Sequence, residues 1–260
     1  MPIRIRTTIH RLDEGTFSKI AYDVMRVVFD IHNEFGRFFD EKIYKRELAR
    51  RCLGIELEVP IEVSFESFHK LYFLDVLVDG GGVFEFKAVE SLTGRHRSQL
   101  MHYLLLADLP HGKLVNMRTE QVQHEFVNAT LRPSDRTGFE VIDRDWQEIG
   151  DKPILDWIVA FLRDLGTCLD ISLYEESLIH LLGGEELVLQ DVEIVSDGRV
   201  LGLQKFHVAA PNAIFKITAL NSDLDPFEIH TRRLLDHTNL KTIQWINIAR
   251  NEVSFKTIRK

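Results

Sequence analysis

Residues 17–34 carry Ile20, Val24, Val27, Val28 and Ile31 at the three-and-four spacing of an amphipathic helix. A second helical pattern resumes near Phe38 and continues through Phe39, Ile43, Leu48 and Cys52, with Gly54 suited to a left-handed C-terminal cap. Alternation then takes over. Ile55–Phe65, 71–78 and 83–89 read as strands, the last two joined by Asp79-Gly80-Gly81-Gly82, a turn signal. A helix over 93–106 and strands near 113–117 and 123–127 complete a unit of mixed α/β (α+β) class.

The chain repeats itself. A shift of 130 aligns Gly36, Asp40, Tyr44, Leu48, Gly54 and Leu57 with Gly166, Asp170, Tyr174, Leu178, Gly184 and Leu187. A shift of 131 aligns Ala88, Ser91, Leu104, Leu109 and Asn116 with Ala219, Ser222, Leu235, Leu240 and Asn247, as one inserted residue requires. Two domains of similar fold are therefore expected, 1–130 and 131–260, each of ordinary domain size. Helices near 153–165, 171–182 and 227–237 mirror the first half, and 131–151, rich in Pro, Asp, Arg and Gly, reads as the connector.

Chemistry concentrates in the first half. In the strand Val83-Phe84-Glu85-Phe86-Lys87-Ala88, period two puts Glu85 and Lys87 on one face and Phe84 and Phe86 on the other. The preceding strand holds one acid, Asp75, among apolar neighbours, and the hairpin brings it beside the Glu85 strand. Two converging carboxylates suit Mg2+ or Mn2+. The alternative is a buried ion pair that holds two strands in register. Against it, the second half has Lys216 and Thr218 at the Glu85 and Lys87 positions and Phe206 or His207 at that of Asp75. Folding of the repeat thus does without these charges.

Glu41-Lys-Ile-Tyr44 after Gly36, the lone Asp75, Glu85-Phe-Lys87-Ala-Val-Glu90 and Gln99-Leu-Met-His-Tyr103 together resemble the GxxExxY family of the PD-(D/E)XK nuclease superfamily, over about residues 20–118. Gln99 and Tyr103 are similar to the QxxxY motif of RecB-like exonucleases. The glycine that names the family motif is Phe38 here, with Gly36 two residues earlier. The resemblance implies a restriction-endonuclease-like αβββαβ core, present twice in tandem. It implies metal-dependent phosphodiester hydrolysis, with Asp75, Glu85, Glu41 and the backbone carbonyl of Phe86 holding Mg2+ or Mn2+ and Lys87 orienting or activating the attacking water. Without it, Glu41 reads as part of a solvated stripe with Tyr44 and Glu47.

Gln99 and Tyr103 share a helix face that can contact a nucleotide or brace the catalytic strand, and His96 lies three residues before Gln99 on that side. Arg95 and Arg97 at the helix start read as solvated charges. In the second half Tyr174 is retained, Ile171 or Ser172 stands for Glu41 and His230 for Gln99, so that half is expected to be a degenerate, noncatalytic copy. Trp245, Ile246 and Ile248 read as strand core, and His207, His230 and His237 as structural histidines, with a metal cluster as the rival reading.

The formal net charge of -8 excludes a surface that traps polyanions at large, so any nucleic-acid contact is local. Residues 1–130 carry 17 Lys+Arg against 19 Asp+Glu and 131–260 carry 15 against 21, which favours the first half for phosphate. Cys52 and Cys168, far apart, exclude a disulfide framework or zinc ribbon and are expected to be buried. No apolar run is long enough to span a membrane, and the N-terminus lacks a signal-peptide stretch, so a cytoplasmic protein without membrane contact is expected. The reading is a nuclease acting on nucleic acid, DNA more than RNA, in a monomer with an internal pseudo-dimer. The alternative is a noncatalytic nucleic-acid or protein binding module of the same fold.

Overall fold

In the computed structural model, which describes Pro2–Lys260, the Asp13 carboxylate accepts the Thr16 N–H at 2.9 Å and starts α1 (Glu14–Phe35). Phe17, Ala21, Val24, Met25, Val28 and Ile31 form its buried stripe. Gly36, at φ 70°, ends it and lets the chain turn sharply into α2 (Glu41–Arg51). This second helix begins later than its apolar pattern suggests, because Asp40 is extended (φ -67°, ψ 148°) and acts as the N-cap residue.

β1 (Ile3–Ile5), β2 (Ile55–Phe65), β3 (Phe68–Val78) and β4 (Gly82–Lys87) follow one another across an antiparallel stretch of sheet. β3 starts three residues earlier than its apolar run, since His69 and Lys70 hide its beginning. At the β3–β4 turn, a Cβ on Gly81 would lie 2.4 Å from the His10 carbonyl oxygen, so only glycine fits there. α3 (Gly94–Ala107) then crosses to β5 (His111–Asn116), which pairs parallel with β4, and β6 (Gln123–Asn128) closes the order β1-β2-β3-β4-β5-β6.

The second unit adds α4 (Pro133–Thr137) and β7 (Glu140–Asp145), then α5 (Ile154–Leu165), α6 (Ile171–Leu181) and α7 (Glu185–Val188). After these come β8 (Leu189–Ser196), β9 (Arg199–Ala210), β10 (Ala213–Thr218), α8 (Leu224–Asp236), β11 (Thr242–Ile248) and β12 (Glu252–Arg259). Its sheet order is β7-β12-β11-β10-β9-β8. The fold is thus mixed α+β, two tandem units with a six-stranded mixed sheet each. The first unit takes in the chain to Ser64 and His69–Pro133; the second takes in Phe65–Phe68 and Ser134–Lys260.

The ladders repeat with the sequence. A shift of 131 carries the β4–β5 pair Glu85↔Leu114 onto the β10–β11 pair Lys216↔Trp245. The same shift carries the β5–β6 pair Leu114↔Glu125 onto the β11–β12 pair Trp245↔Lys256. A shift of 130 carries α2 onto α6. The units differ at the sheet margins, where β1 extends the first beside β2 and β7 extends the second beside β12.

The cysteine expectation fails: Cys168 is exposed and Cys52 only half-buried. Cys168 itself adopts φ 65° between buried Thr167 and Leu169, and its own side chain is left outside. Among the described residues, no helix is long and apolar enough to cross a membrane.

Candidate active site

The β3–β4 ladder runs from Val78↔Gly82 to Val76↔Phe84, and its next step is different. The Phe86 N–H donates to Asp75 Oδ2 at 2.9 Å, so a carboxylate stands between the strands where they part. Period two puts Val83, Glu85 and Lys87 on one face of β4. That face belongs to α3, because a Cβ on Gly112, the β5 partner of Val83, would touch Leu100 and Leu104. Phe84 and Phe86 point the other way, into the core of α1 and α2.

Lys87 Nζ donates to Glu85 Oε1 at 2.6 Å, whereas Glu85 Oε2 is buried with no hydrogen-bond partner. Burial first, then the charge of Asp75, pushes the Glu85 carboxyl up to about 8. Burial opposes the charge on Lys87, but Glu85, Asp75 and Glu41 outweigh it and hold its ammonium above the usual range.

Lys45 completes the arrangement, and the motif reading had not singled it out. Only 5% exposed, it sends its ammonium to Asp75 Oδ1 at 2.7 Å, to Glu41 Oε1 at 3.2 Å and to Glu58. Its four-residue spacing from Glu41 on a helix was the one signal that could have revealed it. Nothing local marks Glu58, which adopts φ 51° in β2. Burial opposes the Lys45 charge, and its bonds to Asp75 and Glu58 override this and raise its pKa. Glu41 is shifted upward by burial and by Asp75.

Four carboxylates, Glu41, Glu58, Asp75 and Glu85, thus face two ammonium groups. With Glu85 protonated, as its raised pKa favours near neutral pH, the cluster is one charge short of neutrality, and ionising Glu85 makes the deficit two. Together with the unpartnered buried Glu85 Oε2, this suits a doubly charged cation bound by hard oxygen donors. Among the described residues, however, no three His, Cys, Asp or Glu side chains are gathered as a ready metal cage. Lys45 holds the space between Asp75 and Glu41 as the protein stands. The histidines 207, 230 and 237 form no such group either: His230 and His237 are exposed, and His207 stacks on Phe215.

Gln99 Nε2 donates to the Tyr103 hydroxyl at 3.0 Å. Burial raises the Tyr103 pKa, the Gln99 bond opposes this, and the charges of Glu85 and Asp75 add to the rise, which ties the tyrosine electrostatically to the acids. His96 works at the start of α3, where its Nδ1 accepts the Thr93 N–H at 3.0 Å. Burial and then Lys87, Arg95 and Arg97 lower its pKa, so its ring tends to neutrality. Trp245, Ile246 and Ile248 lie buried in β11.

Residues 18–128 match the family model described as the PD-(D/E)XK nuclease superfamily. Nucleases of that superfamily generally use divalent metals. No curated protein and no solved structure matches the chain.

Proposed function

We propose that the first unit is a nuclease that hydrolyses phosphodiester bonds, of DNA more than RNA, with Mg2+ or Mn2+. The observation that carries this reading is the convergence of Asp75, Glu85 and Lys87 beyond the last β3–β4 pair, inside the segment that matches the nuclease superfamily. When bound to Asp75, Glu85, Glu41 and the Phe86 carbonyl, the divalent cation supplies Lewis-acid stabilisation of the charge that builds on the phosphate. Lys87 presents an ammonium donor beside Glu85 for the attacking water. Asp75 is held on both oxygens, by Lys45 and by the Phe86 N–H, which fixes its direction before substrate arrives. Tyr103, braced by Gln99, and His96 at the start of α3 form the substrate side.

The second unit is a noncatalytic copy that arose by duplication. In support, equal sequence shifts relate the helices and ladders of the two units, while Lys216 and Thr218 replace Glu85 and Lys87.

A second reading is a binding module of this fold that cleaves nothing. The net charge of -8 and the commitment of Lys45 to Asp75 and Glu41 favour it. Cleavage of labelled linear, circular and single-stranded DNA and of RNA, with Mg2+ or Mn2+, separates the two when run beside folded Asp75→Ala and Lys87→Ala. Metal-dependent cutting lost in both variants supports the nuclease. Absence of cutting, with Mn2+ still bound through Asp75, leaves the binding module.

A further inference from the structure

Lys113 lies on the opposite face of the first sheet from Glu85, and its surroundings differ from those of the lysines in the acid cluster. It pairs with Phe84 across the β4–β5 ladder and so projects toward α1, whereas Glu85 and Lys87 project toward α3. It is 3% exposed. Among the described residues its ammonium has no carboxylate and no hydrogen-bond acceptor, and the group it meets is the Phe126 ring, 3.5 Å from Nζ to the centroid. The other lysine of the unit buried to this depth, Lys45 at 5%, is neutralised by three acids, and the half-buried Lys87 by Glu85.

This ammonium lines a cavity of about 430 Å³ between α1 and the β5–β6 hairpin. The walls are aromatic. Phe126 is half exposed, Tyr22 is 72% exposed, and Phe29 meets His124 edge to face at 5.8 Å. Met25 and Ala21 contribute an apolar floor, and the remaining charge at the rim is Arg26. No carboxylate is among the lining residues, although the chain as a whole is acidic.

A buried cation without an anion is costly, and the cost is relieved when an anion arrives. The volume falls in the range of small-molecule sites, and flat aromatic walls favour a flat guest. We propose that this cavity binds a small planar aromatic molecule carrying one anionic group, the ring between Tyr22, Phe29 and Phe126 and the anion on Lys113, a chemistry shared by aromatic carboxylates and nucleoside monophosphates. Burial lowers the Lys113 pKa, and burial followed by the Lys113 charge lowers that of His124, as expected of an electropositive, anion-free pocket. The site stands apart from the acid cluster and does not depend on the nuclease reading.

Calorimetric titration tests it with two pairs of probes: naphthalene-2-carboxylate against 2-naphthylmethanol, and adenosine 5′-monophosphate against adenosine. At least one anion should bind the unaltered protein about tenfold or more tighter than its neutral counterpart, the effect of one charged hydrogen bond. Preference for the carboxylate identifies an aromatic acid as the guest, and preference for the phosphate a nucleotide. Lys113→Met should erase the preference for charge, and Phe126→Ala should weaken acid and neutral probe together. The proposal is overturned if neither anion binds, if acid and neutral probe bind alike, or if a folded Lys113→Met retains the preference. The comparison of acid with neutral probe in the unaltered chain needs no variant.

Discussion

Tyr44 and Tyr174 do the same work in the two units. Each is fully buried; each donates its hydroxyl to the glycine carbonyl that ends the preceding helix, Gly36 at 2.8 Å and Gly166 at 2.9 Å. Each accepts a backbone N–H from the elbow, Phe39 or Leu169. Asn116 and Asn247 are matched in the same way, each clamping a backbone N–H and carbonyl at the end of the preceding strand, on Val89 and on Leu220. The acid positions are not matched. Ile171 stands for Glu41, Glu175 for Lys45 and Lys216 for Glu85, and by ladder register Phe206 stands for Asp75. Glu85 is 1% exposed while Lys216 is exposed. Two units therefore share joints and clamps, and one of them alone buries a charge cluster. Burying Asp75, Glu85 and Lys45, with Glu41, Glu58 and Lys87 around them, is not a requirement of the architecture, since the second unit folds without these charges.

The largest effect that would sharpen this contrast is on cleavage. Asp75→Ala or Lys87→Ala should lower metal-dependent cutting by about 10³-fold or more, whereas Lys216→Ala and Thr218→Ala in the second unit should leave it unchanged. Equal losses from both units would break the assignment of catalysis to the first.

Next comes Lys45→Met, which leaves three carboxylates without their shared cation and should cost about 3–5 kcal/mol in urea unfolding with EDTA. Mn2+ should restore part of that, since a divalent ion can take over the neutralisation. The counterpart Glu175→Ala should move stability by no more than about 0.5 kcal/mol. A Lys45→Met protein as stable as the parent would show the ion-pair cluster to be energetically idle.

Glu85 predicts a pH dependence of known sign. With its carboxyl at about 8 in the folded protein against an ordinary 4.5, the folded state holds a proton that the unfolded chain releases, so stability falls as pH rises between those values. Glu85→Gln removes that loss. Its melting temperature relative to the parent should climb from pH 5 to pH 8 in EDTA, with a limiting slope of about 1.4 kcal/mol per pH unit, while Lys216→Gln should give no such trend. A flat difference for Glu85→Gln would mean the carboxyl is ionised throughout.

The smallest contrast concerns the joints. Tyr174→Phe should cost about 1–3 kcal/mol, because it strips two buried backbone groups of a partner, and Tyr44→Phe somewhat less, since Gly36 and Phe39 are partly open to water. No cost at either tyrosine in urea unfolding would undo the shared role of the two elbows.

Much of this architecture is legible from local pattern. Helix α1 follows from its apolar stripe and the Asp13 cap, the β3–β4 turn from Asp79 and its glycines, and the shared face of Glu85 and Lys87 from the period of a strand. The repeat at shifts of 130 and 131 exposes Tyr44 with Tyr174 and Asn116 with Asn247. These features depend on residues within a few positions of one another, where spacing and turn chemistry decide the outcome. Where α2 begins was less legible, because the aromatic residues Phe38 and Phe39 belong to the elbow rather than to the helix.

Tertiary structure alone decided the rest. Lys45 meets Asp75 across 30 residues and Glu58 across 13, and nothing in its own segment says that its ammonium is buried. The parting of β3 and β4 at Asp75 likewise depends on a donor outside its own strand, the Phe86 N–H of the neighbouring one. Lys113 looks like any strand lysine until α1 is laid across its face. The sequence by itself determined the elements and the faces on which its charges lie. The approach of distant elements determined which of those charges lost water and which found a partner, because desolvation and pairing are properties of the assembled interior and not of a stretch of chain.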